Sequence, residues 1–266
     1  MPDWFGVVIL GLVEGITEFL PISSTGHLLL AENSGLVRHQ NDVFNVVIQS
    51  GAALAVLAAF GRRVGQLLGS LGERESRAYV LKLLVAFVIT GVGGLLAKKL
   101  GFTLPKTLAP IAWATLIGGV VILLVEWWLR GRRLGQEVTW AMAVAIGLGQ
   151  LVAAVFPGSS RSATTILVAL LLGLGRPAAT EFSFLLGIPT LLGAGALELR
   201  GALRAGGGLA GTDWGLLLLG TVVSAVAALI VVRWLIRYVQ THTFVVFGWY
   251  RIALGVAILV LGRGSA

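Results

Sequence analysis

The sequence predicts an all-α integral membrane protein that crosses the bilayer several times. Hydrophobic residues make up 57% of its 266 residues, charged residues make up 12%, and the mean hydropathy is +0.93. A soluble domain carries roughly 25% charged residues, so this chain cannot cover a water-exposed surface. Its apolar residues are collected in runs of about 20, the length that a helix needs to cross the hydrocarbon core. A soluble enzyme is excluded, and the lack of cysteine excludes thiolate chemistry.

Six apolar runs are long enough to span a membrane, at roughly 42–60, 78–100, 107–130, 178–198, 214–236 and 244–262. Arginine and lysine stand at their ends, and several tryptophans lie nearby, as in aromatic belts. The net charge is +8. Because the cations are clustered between apolar runs, they indicate contact with anionic lipid headgroups, and no nucleic acid partner is expected.

Two further apolar stretches are interrupted. The first, at 4–13, meets a polar break over 14–27, and the second, at 140–156, breaks at 157–161. Apolar pieces of about 10–14 residues are too short to cross the bilayer and indicate re-entrant hairpins. Irregular backbone at membrane depth must be buried in protein or line a wet cavity, so both breaks should point into the protein.

An internal repeat relates the two breaks. A shift of 136 positions places Pro21 on Pro157 and Ser23-Ser24 on Ser159-Ser160, and it carries the first three spans onto the last three. One membrane domain with halves 1–136 and 137–266 follows, each a re-entrant helical hairpin plus three transmembrane helices. Because three is odd, the second half enters from the opposite side, which gives an inverted-topology repeat with both breaks near the midplane.

Loop cations predict the orientation, since cytoplasmic loops carry the excess of lysine and arginine. The side of the N-terminus carries seven: Arg38, Lys98, Lys99, Lys106, Arg200, Arg204 and Arg263. The opposite side carries eleven: Arg62, Arg63, Arg74, Arg77, Lys82, Arg130, Arg132, Arg133, Arg176, Arg233 and Arg237. We therefore expect both termini, and the mouth of the first hairpin, to lie outside the cytoplasm.

Two carboxylates lie in the first break. Glu14 and Glu18 are four residues apart, so they share one face of a helix. An ionised carboxylate at mid-bilayer costs about 2.5–3.5 kcal/mol, so the pair requires a cation or a shared proton. Intramembrane ionisable residues usually serve function. A structural pair bound to a helix end is the alternative.

Hydroxyl groups follow in the same break. Ser23, Ser24 and Thr25 open the next helical segment, and three hydroxyls exceed what a single N-cap needs. A helix N-terminus offers free N–H groups to phosphate oxygens. His27 lies three residues after Ser24, on the same helical face, which favours a role in proton transfer over that of a hydrogen-bonded structural histidine.

The second break contributes Arg161. Surrounded by hydroxyls, its guanidinium can bind phosphate in a bidentate manner. Alternatively, it neutralises Glu14 or Glu18 across the repeat interface. The 136-residue shift places Arg161 on Thr25, which predicts that both breaks meet at one phosphate site.

A divalent cation is also expected. The negative charge of two carboxylates and a phosphoryl group exceeds the positive charge of Arg161 and a protonated His27. Mg²⁺ commonly uses one or two carboxylates and substrate oxygens, so Mg²⁺ or Ca²⁺ should bind Glu14 and Glu18 together with the substrate.

The segments EGITEFLPISSTGH and PGSSRSATT resemble the two signature motifs of the bacterial undecaprenyl-pyrophosphate phosphatase family. The resemblance covers the full chain and implies a multi-pass enzyme of the bacterial inner membrane. Such an enzyme removes one phosphate from a C55 isoprenyl diphosphate and recycles the lipid carrier for cell-wall polymers. Family roles then fall on Glu14, Glu18, Ser24, His27 and Arg161, with phosphate contacts from Ser23, Thr25, Ser160, Ser162 and Thr165. Ala163 departs from the family pattern, which often has glycine there.

A lipid flippase or transporter is the alternative, because paired broken helices in inverted repeats are typical of transporters. The sequence leaves open whether Ser24 or a water is the nucleophile, and whether the protein forms a homo-oligomer.

Overall fold

The computed structural model describes residues 3–33, 35, 37, 40–102, 107–204 and 213–261. Three of the counted loop cations, Arg38, Lys106 and Arg263, lie outside these residues. The described chain is all-α, as predicted. Its helices are α1 (Asp3–Thr17), α2 (Ser24–Asn33), α3 (Asp42–Ala59), α4 (Gly61–Gly69), α5 (Arg74–Lys99), α6 (Leu108–Trp128), α7 (Trp140–Val155), α8 (Arg161–Leu171), α9 (Arg176–Arg204), α10 (Trp214–Tyr238) and α11 (Val245–Leu261).

Four of the described helices, α5, α6, α9 and α10, are long and apolar enough to cross a membrane. A fifth span results if α3 and α4 count together, although the chain bends by 67° between them. Large apolar side chains such as Leu124, Leu218 and Ile230 are exposed on the outer surface, where lipid would cover them. The chain is therefore a multi-pass membrane protein.

The prediction of six long spans is too high by these criteria. The run at 42–60 forms α3, which ends at a sharp bend. Of the run at 244–262, the described part forms α11 over 17 residues and is not among the long helices. An apolar run in the sequence includes residues that the fold uses for bends and helix ends, so its length exceeds that of the helix.

Both breaks end in a serine with left-handed backbone. Ser23 has φ of +74° and Ser160 has φ of +67°, and α2 and α8 begin at the next residue. These two serines are 137 positions apart, one more than the sequence shift. Between its proline and the helix that follows, the second break is one residue longer than the first. Gly158, with φ of +94°, lies in this segment. When the two breaks are aligned on these serines, Arg161 falls on Ser24, one position before the Thr25 that the sequence shift pairs with it.

Helix packing brings the two breaks into the interior. Helix α1 packs on α10, α7 packs on α5, and α6 packs on α11. Glycines permit two of these close approaches. A Cβ on Gly11 would lie 2.7 Å from the Gly220 carbonyl oxygen, and one on Gly147 would lie 2.8 Å from that of Ala86. The pairs α1–α2 and α7–α8 thereby meet between the longer helices.

Candidate active site

Residues from both breaks line one cavity of about 270 Å³. The helices α3, α5, α7 and α9 supply polar side chains to the same cavity. The lining residues that are polar or belong to the two breaks are Glu18, Ser23, Ser24, Thr25, Gln49, Thr90, Gln150, Pro157, Gly158, Ser160, Arg161 and Thr190. Segments that lie far apart in the sequence therefore share one polar pocket inside the helix bundle.

A chain of hydrogen bonds joins the two breaks across this cavity. The Ser24 hydroxyl donates to Glu18 Oε2 at 2.7 Å, and Arg161 Nη2 donates to Glu18 Oε1 at 3.2 Å. Both charged side chains are largely buried, with 12% of Arg161 and 7% of Glu18 exposed. The carboxylate is thereby fixed between the hydroxyl and the guanidinium, in a position to accept the Ser24 proton.

Arg161 retains binding capacity. Among the described residues, its Nε and Nη1 atoms are buried without a hydrogen-bond partner. The guanidinium packs against Gly187, where an added Cβ would lie 2.9 Å from Cζ. Two guanidinium nitrogens with three N–H bonds therefore lack acceptors, which favours a ligand that supplies oxygen atoms, as a phosphate does.

Glu14 lies one helical turn before Glu18 but does not line the cavity. Its side chain is fully buried, and neither carboxylate oxygen has a hydrogen-bond partner within the described chain. Gln150 Oε1 is likewise unpartnered, while its amide nitrogen donates to Thr90 and Thr190 at 3.0 and 3.2 Å. Buried oxygens without donors are rare in proteins, and they are the ligand type that hard divalent cations prefer.

His27 faces away from the Ser24 hydroxyl. Its Nδ1 is 2.8 Å from the Ser23 carbonyl oxygen, and its Nε2 is 2.6 Å from the Tyr250 hydroxyl. The two rings are parallel within 4°, with centroids 5.6 Å apart. Although α2 begins at Ser24, as the shared-face prediction assumed, the Ser24 hydroxyl donates to Glu18 and both His27 nitrogens have other partners.

The predicted phosphate contacts divide into two groups. Ser23, Thr25 and Ser160 line the cavity. The structure does not bring Ser162 and Thr165 into the lining, because their hydroxyls donate to backbone. Ser162 donates to the Leu20 carbonyl at 3.0 Å, and Thr165 to that of Arg161 at 2.9 Å. The Ser162 hydroxyl thereby connects the two breaks, and the Thr165 hydroxyl bonds within α8.

Known proteins resemble this chain over almost its whole length. The family model described as bacitracin resistance protein BacA matches residues 7–257. The chain belongs to this family. An undecaprenyl-diphosphatase of Rhizobium etli is 50% identical over 258 residues, covering 97% of this chain and 96% of the relative. One of Xanthomonas oryzae pv. oryzae is 48% identical over 263 residues, covering 98% and 97%.

Sequence reasoning missed one buried cation of this BacA-family protein. Arg251 of α11 is fully buried, and its guanidinium donates to five carbonyl oxygens. Two belong to α6 and three to the breaks: Ala114, Thr115, Pro21, Gly158 and Ser159, at 3.0–3.3 Å. An arginine inside the apolar run 244–262 is the signal that could have revealed it, since buried intramembrane charges are rare and need partners.

Tyr250, the partner of His27, gave no such signal. Tyrosine is common near the ends of membrane helices, and it precedes Arg251 in a run without a recognisable motif. Its position beside His27 depends on the packing of α11 against α6, which carries it to the first turn of α2.

Proposed function

We propose that this protein hydrolyses undecaprenyl diphosphate to undecaprenyl phosphate and inorganic phosphate, and so recycles the lipid carrier for peptidoglycan and other cell-wall polymers. The observation that carries the proposal is the Ser24–Glu18–Arg161 hydrogen-bond chain, which joins a hydroxyl, a carboxylate and a guanidinium in one buried pocket. Membership of the BacA family and the names of the relatives support this substrate.

The pocket suits a diphosphate. The unpartnered Nε and Nη1 of Arg161 provide donors for phosphate oxygens, and α2 and α8 direct the positive ends of their helix dipoles to the breaks. Ser23, Thr25 and Ser160 add hydroxyls around them. The surrounding helices expose apolar side chains to lipid, where the isoprenyl chain would remain while its headgroup enters the cavity.

In the proposed reaction, Ser24 Oγ attacks the terminal phosphorus and passes its proton to Glu18. A bond forms between Oγ and phosphorus, and the bond from phosphorus to the bridging oxygen breaks, which releases undecaprenyl phosphate. Water then hydrolyses the phosphoserine to inorganic phosphate and free serine. Arg161, as the fixed positive charge, stabilises the negative charge that develops on the phosphoryl oxygens.

A divalent cation would bind at the edge of this cavity. Glu18, which lines the cavity, would hold Mg²⁺ or Ca²⁺ there, and Glu14, whose oxygens are unpartnered one helical turn away, would have to turn its side chain toward the cavity to join it. No group of three acidic, histidine or cysteine side chains forms a metal cage among the described residues, so substrate oxygens would complete the coordination. When bound, the cation would neutralise charge on the diphosphate and carboxylates.

We further propose that the chain is an inverted repeat in which α1–α2 and α7–α8 are re-entrant hairpins. The left-handed serine before α2 and α8, and the packing of α1 on α10 and of α7 on α5, support matched halves. The protein would lie in the bacterial inner membrane, with its termini and pocket mouth on the periplasmic side.

Single-cysteine labelling tests this topology, because the natural chain has no cysteine. Lys99→Cys should react with an impermeant maleimide added outside intact cells, and Arg130→Cys should react only after permeabilisation. Reaction of Arg130→Cys alone in intact cells would reverse the orientation. Reaction of both there would refute the arrangement.

Phosphate release in detergent tests the enzymatic function. Purified protein in micelles, where no compartments exist, should release one phosphate per undecaprenyl diphosphate, and Ser24→Ala should abolish the release. A flippase would move lipid in vesicles without any release. Binding of the lipid by the wild-type protein with no phosphate released would refute the proposal.

A further inference from the structure

The Arg161 guanidinium is largely buried, but its hydrogen bonds to protein compensate little of its charge. Among the described residues it makes one such bond, from Nη2 to Glu18 Oε1 at 3.2 Å. Charge-assisted bonds of this kind are usually about 2.7–2.9 Å long. Because a buried charge costs free energy unless it is compensated, a single long bond indicates that another group stabilises this cation.

The ring of Phe19 lies against the same charge. Arg161 Cζ is placed over this ring, 5.3 Å from its centroid, within the range of about 6 Å in which the face of an aromatic ring attracts a cation. Phe19 directly follows Glu18 in the first break, so the carboxylate and the ring meet the guanidinium from adjacent positions of the chain. The ring has no exposed surface, and water therefore does not weaken this attraction.

Two further aromatic rings hold Phe19 in its orientation. Phe184 of α9 packs edge-on against it, with centroids 5.1 Å apart and planes at 68°, and Phe184 packs in turn on Phe60, with centroids 6.4 Å apart. All three rings are buried. The face of an aromatic ring is negative and its edge is positive, so this packing keeps the attractive face of Phe19 toward Arg161.

The ring attracts the guanidinium without occupying its N–H groups as an oxygen acceptor would. Arg161 Nε and Nη1 consequently remain unpartnered. We propose that Phe19 is a positioning residue for Arg161, whose ring holds the buried guanidinium beside Glu18 and leaves Nε and Nη1 to the diphosphate. The inference rests on the proposed function. It gives an apolar residue of the first break a part in the recognition of phosphate.

Stepwise fluorination of the Phe19 ring tests the proposal, because fluorine withdraws charge from the ring face and nearly keeps its shape. Mono-, di- and trifluorinated phenylalanine would be incorporated at this position of the full-length protein. We expect kcat/KM for phosphate release from undecaprenyl diphosphate to fall with each fluorine, about tenfold for three, as expected for a desolvated cation–π contact. Phe19→Leu, which removes the ring, should lose about 30-fold.

The same fluorinated series at Phe182 is the matched control. This ring is also fully buried, but it packs edge-on against Tyr79, with centroids 5.7 Å apart. Its fluorination should change kcat/KM less than about twofold. An equal fall at both positions would show a general effect on core packing and would overturn the proposal, as would a kcat/KM that does not depend on fluorination of Phe19.

A double-mutant comparison separates positioning of Arg161 from a purely structural role. In an Arg161→Ala background, trifluorination of Phe19 should lower kcat/KM less than about twofold further, since the cation that the ring attracts is gone. A tenfold fall in this background would overturn the proposal.

A spectroscopic measurement tests the contact without turnover. The Nε–H signal of Arg161, identified as the one missing from the ¹⁵N spectrum of Arg161→Lys, is subject to the magnetic shielding of the ring face. Phe19→Leu should therefore shift this signal, and Phe182→Leu should leave it in place. An unchanged signal in Phe19→Leu would refute the contact. Absence of phosphate release by the wild-type protein would instead refute the proposed function.

Discussion

Arg251 provides a quantitative test of how the two breaks are held together. We expect Arg251→Met to lower the stability of the folded protein, because methionine fills a similar volume but donates no hydrogen bonds. Five carbonyl oxygens would each lose a donor. The loss is partly offset because burying a guanidinium itself costs free energy.

The structure sets the size of the effect. The carbonyls of Ala114 and Thr115 belong to α6 and retain their helical N–H partners. The Gly158 carbonyl retains the Thr115 hydroxyl at 3.3 Å. The carbonyls of Pro21 and Ser159, in the two breaks, lose the donor that reaches them. A buried acceptor left unpaired costs about 1–3 kcal/mol, so the loss should be about 2–6 kcal/mol.

Thermal denaturation in detergent measures this loss. For a chain of this size 1 kcal/mol corresponds to roughly 2–4 °C in Tm, so a mid-range loss of about 4 kcal/mol predicts a fall of about 8–16 °C. Arg130→Met, at an exposed position at the end of α6, is the control and should shift Tm by less than about 2 °C.

A second variant perturbs the contacts of the Arg251 guanidinium from α6. A Cβ on Gly118 would lie 2.7 Å from Arg251 Cζ, so Gly118→Ala should displace the guanidinium and lower Tm in the same direction. An unchanged or higher Tm for Arg251→Met would show that the hydrogen bonds to the breaks do not outweigh burial of the charge, and would refute the reasoning.

Three further predictions concern catalysis. Ser24→Ala should lower the rate of phosphate release roughly 1,000-fold or more, as loss of a nucleophile does in other hydrolases. Ser159→Ala should remain active, because the Ser159 hydroxyl donates to the Phe156 carbonyl of its own break. Near-normal release by Ser24→Ala would assign the attack to water. Arg161→Lys should be nearly as inactive as Arg161→Ala, with phosphate release about 100-fold below that of the wild type, because lysine lacks the planar guanidinium fork. A lysine variant with most of the activity would show that Arg161 only neutralises the charge of Glu14 and Glu18. Removal of metal ions with EDTA should abolish phosphate release, and added Mg²⁺ or Ca²⁺ should restore it. Full activity of the metal-free enzyme would contradict a metal role for Glu14 and Glu18.

The predicted fold class and the site residues differ in how far the sequence could determine them. The all-α membrane class follows from composition and run length, which need no tertiary information. The bend after Ala59 does not follow from them, because apolar side chains do not record where a helix stops. The one-residue difference between the breaks was hidden because serines repeat at 23, 24, 159 and 160, and only the backbone angles distinguish them.

That this chain lies in a membrane, and that its polar breaks contain Glu18, Ser24 and Arg161, follows from the amino-acid sequence, because intramembrane polar residues are rare enough to be recognised singly. The partners of these residues follow only from the packing of the helices. Glu18 binds Arg161 across 143 positions, His27 binds Tyr250 across 223, and Arg251 reaches the Pro21 carbonyl across 230. The direction of each side chain depends on how α1, α2, α8 and α11 pack, and helical spacing fixes only which face a residue occupies.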